Sequence, residues 1–320
     1  MRKLAGAAAI CCGIVFSAAA DGPPAPGAAV TARTLARLLL VDARRAGSRI
    51  VAVGDRGYIL LSDDDGATWR RAKSPEAPLL TAVAFEDAKR GLAVGHDATI
   101  LATEDGGETW TKMFSAPADQ RPLLSVAWVA PSRAIAIGAY GAYYESLDGG
   151  RTWNPRKILN DDKHLNALVD LGQGRLLIAG EAGTLLSSSD AGAHWTPLAS
   201  PYKGSYFGGL VAADGAIIVY GLRGRIFRSA DGGATWNPVD DASDAALMAG
   251  ERLPDGALVV AGAMGAALVS RDDGHSFQPI ATGTSRMLAK PVVGSAGELL
   301  LMGEAGVRSA KVPLHRKAGS

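Results

Sequence analysis

The octapeptide Ser229-Ala230-Asp231-Gly232-Gly233-Ala234-Thr235-Trp236 decides the fold of this chain, because versions of it recur through most of the sequence. All copies follow the pattern Ser/Thr-x-Asp-x-Gly-x-(Thr/His/Ser)-(Trp/Phe), which we call the box. The other copies occupy residues 62–69, 103–110, 146–153, 188–195 and 270–277. Self-similarity at a regular spacing is typical of repeat proteins.

The chemistry of the box is that of a tight hairpin turn between two strands. The carboxylate accepts hydrogen bonds from the N–H groups of the turn, and glycine at the fifth position supplies a positive φ. The first hydroxyl adds a side-chain to backbone bond, and the final aromatic offers apolar surface to a neighbouring unit. Because the carboxylate recurs at one position of every copy, we predict a structural role for Asp64, Asp105, Asp148, Asp190, Asp231 and Asp272.

A second marker, an apolar strand that ends in glycine, occurs seven times. The glycines are Gly54, Gly95, Gly138, Gly180, Gly221, Gly262 and Gly303, at intervals of 41, 43, 42, 41, 41 and 41 residues. Each copy divides into four short β-branched or apolar runs separated by Gly/Asp turns, which indicates antiparallel strands. A four-stranded repeat of this length is typical of a propeller blade. The sequence therefore predicts an all-β fold, a seven-bladed β-propeller of four-stranded antiparallel blades, over residues 35–312.

The seventh copy lacks a box, because residues 306–313 carry proline and basic residues in its place. A propeller ring removes its exposed sheet edges when it closes. We therefore expect Ala28 to Ala32 to supply the missing fourth strand and to close the ring. In this interpretation residues 21–34 are a flexible lead and ring-closing strand, and residues 313–320 are a tail.

The first 20 residues have the pattern of a signal peptide: the basic pair Arg2-Lys3, an apolar core, and an A-x-A cleavage site before Asp21. Cys11 and Cys12 lie inside it, so we expect a mature chain without cysteine. We predict an exported protein, located in the periplasm, or in the thylakoid lumen of a photosynthetic organism.

Composition narrows the classes of partner. The formal charge of +1 lacks the basic excess of a nucleic-acid-binding surface. Beyond the N-terminal segment, no apolar run reaches the roughly 18 residues that span a bilayer. We expect a monomer with no nucleic-acid partner and no transmembrane segment in the mature chain.

The boxes resemble the Asp-box, or bacterial neuraminidase repeat. The coupled pattern Val-Gly-x-x-Gly-x-Ile-x-x-Ser-x-Asp-Gly-Gly-x-Thr-Trp resembles the photosystem II stability/assembly factor family, and residues 53–69 and 220–236 match it best. Departures are Ala98 for glycine, His194 and Ser276 for threonine, and Phe277 for tryptophan. The resemblance implies an exported, non-enzymatic seven-bladed propeller that helps to assemble a membrane complex.

Asp-boxes also occur in sialidases and other glycosidases, so an Asp-box glycoside hydrolase of sialidase type is the alternative. Sialidase chemistry needs three converging arginines and a tyrosine nucleophile paired with a carboxylate base. The candidates are Arg56, Arg133, Arg223 and Arg225, with Tyr140, Tyr143, Tyr144 and Tyr220. None lies in an Arg-Ile-Pro-like motif, and seven copies rather than six disfavour that assignment. The five histidines are widely separated, so we predict no metal and no cofactor.

The two faces of a propeller predict where a partner binds. If the strands of each blade run outward from the axis, the boxes share one face, and the second-to-third turns and blade connections share the other. The second face varies between copies, and variable loops on a fixed scaffold commonly bind partners. Aromatic and arginine side chains dominate protein interfaces. We therefore predict that an exported or membrane-complex protein subunit contacts Arg56, Tyr140, Arg156, Lys157, Tyr202, Lys203, Tyr206, Phe207, Arg223 and Arg225.

Overall fold

A computed structural model describes residues 24–240, 243–294 and 298–312. Within these ranges 27 strands form seven antiparallel sheets, six with four strands and one with three. Hydrogen-bonded neighbours in each sheet are consecutive in the chain. The predicted seven-bladed β-propeller is confirmed. The predicted signal peptide and tail lie outside the described residues.

The strands run in chain order through the blades. Blades one to three contain β1 (Leu40–Ala46), β2 (Arg49–Gly54), β3 (Ile59–Ser62), β4 (Arg70–Arg71), β5 (Leu80–Phe85), β6 (Gly91–Gly95), β7 (Ile100–Thr103), β8 (Thr111–Phe114), β9 (Leu123–Ala130), β10 (Arg133–Gly138), β11 (Tyr143–Ser146) and β12 (Asn154–Pro155). Blades four to seven contain β13 (Leu165–Gly172), β14 (Arg175–Gly180), β15 (Leu185–Ser188), β16 (Thr196–Pro197), β17 (Tyr206–Val211), β18 (Ile217–Gly221), β19 (Ile226–Ser229), β20 (Asn237–Val239), β21 (Leu247–Arg252), β22 (Leu258–Gly262), β23 (Ala267–Ser270), β24 (Gln278–Pro279), β25 (Leu288–Val293), β26 (Glu298–Gly303) and β27 (Gly306–Lys311).

One short α-helix, α1 (Ala32–Leu35), and several 3-10 turns complete the described secondary structure. In these ranges no helix has the length and apolar character that crossing a bilayer requires.

Apolar clusters at the blade junctions hold the propeller together. Among the described residues there are seven such clusters, each built from two neighbouring blades. The box aromatic of a blade packs at the junction with the preceding blade: Trp110 against blade one, and Trp153 against blade two. This packing explains the large aromatic at the end of each box, since a single blade cannot bury both of its faces.

Polar side chains of the inner strands also join the blades, which belong to separate sheets. In each bond a side chain of one inner strand meets a backbone group of the next. The bonds are Val83 N to Asp42 Oδ2 (2.9 Å), Thr81 Oγ1 to Leu123 O (2.5 Å), Leu168 N to Ser125 Oγ (3.2 Å) and Asn166 Nδ2 to Tyr206 O (2.7 Å).

The prediction that Ala28 to Ala32 form the fourth strand of blade seven is wrong. Val30 N donates to Trp69 O (2.7 Å) and Gly27 N donates to Arg71 O (2.8 Å), so this segment lies on the outer edge of blade one. That edge offers unpaired backbone groups close by in the sequence. Thr31 then caps α1, which turns the chain away from an extended course.

The ring therefore closes by side-chain bonds and packing in the part of the chain that the structure describes. Arg45 Nη2 of blade one donates to Val293 O of blade seven (2.7 Å), and Gly306 N donates to Leu38 O (3.0 Å). One apolar cluster spans this junction and includes Leu40 and Met302.

Candidate functional site

The two ends of the propeller carry different loops. We call the end with the boxes the box face. We call the other end, where the second strand of each blade turns into the third, the turn face. Six of these turns are 3-10 turns whose middle residue has a φ of 51° to 58°: Arg56, Asp97, Tyr140, Ala182, Arg223 and Met264. A non-glycine residue pays a conformational cost for this backbone, so its side chain is held at a defined place by the blade around it.

Large apolar side chains are exposed on the turn face. Tyr140 is 54% exposed, Met264 is 69% exposed, and Leu222 is 38% exposed. The Tyr140 ring lies edge-on to the His164 ring, with 4.9 Å between centroids. Sequence reasoning found Tyr140 but missed Leu222 and Met264. The equivalence of their turns to the turn of Tyr140 was the available signal.

The cations predicted on this face have mixed positions. Arg56 and Arg223 occupy equivalent turn positions and are exposed. Lys157, Lys203 and Arg225 are also exposed, and their role in partner binding stays a prediction.

The prediction that Tyr206 contacts a partner is wrong, because its side chain is fully buried at the start of an inner strand. Its hydroxyl lies 3.0 Å from Ser200 Oγ, and its ring packs edge-on against Phe227. Tyr202 is half-buried, packs against the same Phe227, and donates a hydrogen bond to Leu222 O (3.3 Å). Tyr202 therefore supports Leu222 on the turn face.

Arg156 is a structural residue rather than an open contact. Its guanidinium donates to Glu145 Oε2 (3.1 Å) and to the carbonyls of Gly192 (3.1 Å) and Ala193 (2.9 Å). It also lies over the ring of Tyr143. These bonds join blade three to the box of blade four, so the predicted partner role of Arg156 is corrected.

Phe207 lies in the central channel rather than on a surface loop. The inner strands of all seven blades line this channel, which has a volume of about 410 Å³. Leu124, Phe207 and Met248 line it where the inner strands begin, close to the turn face. The apolar part of the channel is therefore continuous with the exposed apolar side chains of that face.

A charged cluster lies deeper in the channel. Lys290 is 3% exposed, and its Nζ donates to Glu251 Oε2 (2.6 Å) and to Gly250 O (2.7 Å). Burial lowers the pKa of Lys290. Burial would raise the pKa of Glu251, but the charges of Lys290 and Arg44 outweigh it and lower that pKa. Each charge in this cluster has an opposite charge beside it, so the cluster is a structural feature of the channel wall.

The box side chains serve their own turns. Ser229 Oγ donates to Asp231 Oδ1 (2.8 Å) and accepts from Gly233 N (2.8 Å), and Thr235 N donates to Asp231 Oδ1 (2.9 Å). The hydroxyl and the N–H of Thr235 lower the pKa of Asp231 to about 2. The same contacts from Thr152 lower the pKa of Asp148 to about 2. Carboxylates so strongly held in the ionised form are poor proton donors.

Two departures from the repeat pattern adopt the regular geometry. His194 Nδ1 lies 2.7 Å from Asp190 Oδ2, where other boxes place a hydroxyl. Ala98 has a φ of 48° at a position that is glycine in the other 3-10 turns.

The residues that sialidase chemistry would require do not converge. Arg133 begins β10 at the box end of its blade and donates to Glu145 Oε2 (3.2 Å), whereas Arg56 and Arg223 lie on the turn face. Tyr143 and Tyr220 are buried. Across the described ranges there is also no group of three or more His, Cys, Asp or Glu that could hold a metal ion.

Comparison with known proteins identifies relatives of this fold. The family model described as Photosynthesis system II assembly factor YCF48 matches residues 112–291. A solved structure described as YCF48 bound to D1 peptide has a TM-score of 0.70 and 19% identity, covering 93% of this chain and 100% of that chain. YCF48 from Cyanidioschyzon merolae has a TM-score of 0.68 and 18% identity, covering 87% and 96%.

An enzyme is also among the similar structures. The GH74 xyloglucanase from Xanthomonas campestris has a TM-score of 0.69 and 14% identity, covering 86% of this chain and 52% of that chain. At such identities, likeness to a solved structure shows the fold alone. No curated protein matches the sequence significantly.

Proposed function

The chain belongs to the Photosynthesis system II assembly factor YCF48 family, whose model matches more than half of its length, and we propose that it is an exported assembly factor. In this proposal its turn face binds an extended segment of a membrane-complex subunit. The observation that carries the proposal is the exposed apolar surface of that face, where Tyr140 and Met264 occupy equivalent turns of blades three and six.

The chemistry of these side chains favours a protein partner. Aromatic, methionine and arginine side chains are enriched at protein interfaces, and Tyr140, Met264 and Arg223 provide one of each. Each follows a buried strand and precedes a glycine, so the backbone is fixed before binding. A partner therefore orders few groups on this side of the interface, which reduces the entropic cost of association.

A peptide is a fitting occupant because the relevant surface is spread over several blades rather than enclosed. The similar structure described as YCF48 bound to D1 peptide has a peptide as its ligand. By analogy, we propose that an extended segment of a client subunit crosses the turn face near the mouth of the channel, where Leu124, Phe207 and Met248 provide further apolar surface.

The glycoside hydrolase alternative has weaker support. The box carboxylates are hydrogen-bonded within their turns, and the arginines needed to hold a sugar carboxylate lie at opposite ends of the blades. We propose a binding scaffold without enzymatic activity, and assays with sialosides and other glycosides should detect no turnover.

A capture assay tests the proposal. The full chain, immobilised, should capture a subunit of an envelope or thylakoid membrane complex from solubilised native membranes. The variant Tyr140→Ala/Met264→Ala should lose most of that capture while its melting temperature stays unchanged, because both side chains are exposed.

Leu147 provides the matched control, since it is 65% exposed but lies in a box on the opposite face. Leu147→Ala should capture the subunit as the unchanged protein does. Equal loss from Leu147→Ala, or undiminished capture by the turn-face variant, would contradict the assignment of the site.

A further inference from the structure

The junction between blades two and three contains a cleft that the neighbouring junction fills. Between blades one and two, Arg49 and Arg70 form ion pairs with Asp63 and Glu108: Arg49 Nη2 lies 2.9 Å from Glu108 Oε1, and Arg70 Nη2 lies 3.1 Å from Asp63 Oδ2. Arg70 reaches from the outer strand of blade one to the box of blade two. These four side chains close that junction at the box face.

The repeat register assigns the equivalent positions one blade later. Thr111 takes the place of Arg70, Glu104 that of Asp63, and Arg151 that of Glu108. A short hydroxyl cannot span the gap that Arg70 spans. The Arg151 and Glu104 groups are 3.9 Å apart, with side chains 69% and 80% exposed, so they do not fill the junction either. A cavity of about 480 Å³ remains.

The cavity is lined by apolar groups and one unsatisfied donor. Leu92, Met113 and Trp128 form much of its wall. Trp128 is the only tryptophan of the sequence outside a box. Its Nε1 is buried and has no hydrogen-bond partner among the described residues. A buried N–H without an acceptor costs about 1–3 kcal/mol, so an occupant that brings an acceptor is favoured.

The charges around the cavity are already neutralised. Arg90 lies over the Trp128 ring, with 5.1 Å from its guanidinium carbon to the ring centroid, and forms an ion pair with Glu86. Asp105 is occupied by Thr109, whose hydroxyl is 2.6 Å from Asp105 Oδ2. Because the cations and carboxylates balance one another, the cavity favours a neutral occupant over a phosphate or a free carboxylate.

We propose that this cleft is a peptide-binding pocket, which takes a neutral apolar or aromatic side chain of a partner while Trp128 Nε1 donates to a carbonyl of the partner's backbone. A buried anchor side chain in a pocket is the usual centre of a protein interface. A saccharide fits less well, since a ring with several hydroxyls needs many partners, and Asp105 and Thr109 are engaged with each other. The site lies at the box face and does not depend on the turn-face proposal.

The pocket can be tested with N-acetyl-L-phenylalaninamide, which carries an aromatic side chain and two amide carbonyls, in a ligand-observed NMR titration of the full chain. We expect saturable binding. Thr111→Arg/Arg151→Glu rebuilds the ion-pair set of the preceding junction, so the protein should fold normally and bind the probe at least about tenfold more weakly. Trp128→Phe keeps an aromatic wall but removes the N–H, and it should weaken binding by about threefold to tenfold.

The matched control places the same two residue types one junction further on. Asn154→Arg/Ala193→Glu should leave binding of the probe unchanged. Methyl β-D-glucopyranoside is the competing probe and should show no saturable binding. The proposal is overturned if the amide fails to bind, if both double variants weaken it equally, if Trp128→Phe binds it as tightly as the unchanged protein, or if the glucoside binds with the variant sensitivity expected of the amide.

Discussion

Ser188 shows how the box stabilises each blade. Its Oγ accepts from Gly192 N (2.9 Å) and donates to Asp190 Oδ1 (2.8 Å), and the side chain is buried. Ser188→Ala leaves the buried Gly192 N–H without a partner, so we expect the free energy of unfolding to fall by about 1–3 kcal/mol. The neighbouring Ser189 is exposed, and Ser189→Ala should change it by less than about 0.5 kcal/mol. Urea denaturation of both variants checks this, and equal effects would contradict a structural role for the box hydroxyl.

The box carboxylates make stability depend on acid. Hydrogen bonds within the box lower the pKa of Asp148 and Asp231 to about 2 from an ordinary 3.8. A carboxyl whose folded pKa is lowered stabilises the fold above its unfolded pKa, and this stabilisation is lost as pH falls through the folded pKa. We expect the melting temperature to fall as pH drops from about 4 to about 2. The double variant Asp148→Asn/Asp231→Asn should show a shallower fall, and an equally steep one would contradict this explanation.

The sequence predicted the chemistry of single residues well where the repeat fixed their neighbours. His194 was expected to replace the turn hydroxyl, and it lies beside Asp190. Exposure was harder to predict where the repeat varies. Tyr206 and Arg156 carry residue types that favour interfaces, but their side chains point into the core and into a junction. A single sequence does not fix those directions.

At the scale of elements, the closing junction depends on Arg45. Its guanidinium donates to Val293 O of blade seven at 2.7 Å and to Asp65 Oδ1 at 2.6 Å. Arg45→Ala removes these bonds across the closure and should lower the free energy of unfolding by about 2 kcal/mol in urea denaturation. Arg175 is the control, because its printed bond joins it to Leu171 O within its own blade. If Arg175→Ala were as costly, Arg45 would have no special role in closure.

The N-terminal segment shows what the strand pattern could not determine. The missing fourth strand of blade seven was correctly predicted from the loss of the box, and β27 is the last strand of a three-stranded sheet within the described ranges. The partner of residues 27–30 was not predictable, because blades one and seven both present an unpaired edge to them. Thr31 decides between these edges by starting α1 directly after the segment.

Deletion of residues 21–31 tests the consequence of this placement. The deletion removes the edge bonds to Trp69 and Arg71 and the burial of Val30, but it leaves the bonds of Arg45 across the ring. We expect a loss of about 2–4 kcal/mol in the free energy of unfolding, with the propeller still formed. Circular dichroism and urea denaturation check this, and complete failure to fold would restore a ring-closing role for the segment.

For the whole molecule, periodicity was sufficient to predict the blade number and to distinguish two faces. It could not locate the cleft between blades two and three, since that cavity arises from one short side chain, Thr111, and from an inner-strand tryptophan outside the repeat pattern. Met264 was missed for a related reason. Its exposure follows from the left-handed turn that the blade imposes, rather than from residue type.

The central claim is that the turn face binds a segment of a membrane-complex subunit, and site-specific photo-crosslinking in native envelopes tests it most directly. A photoreactive amino acid is placed singly at Tyr140, at Met264, and at Leu147 on the box face, all exposed positions. We predict that the two turn-face positions crosslink to the same membrane-complex subunit and that position 147 does not. Crosslinks to that subunit from position 147 alone, or none from either turn-face position, would contradict the claim.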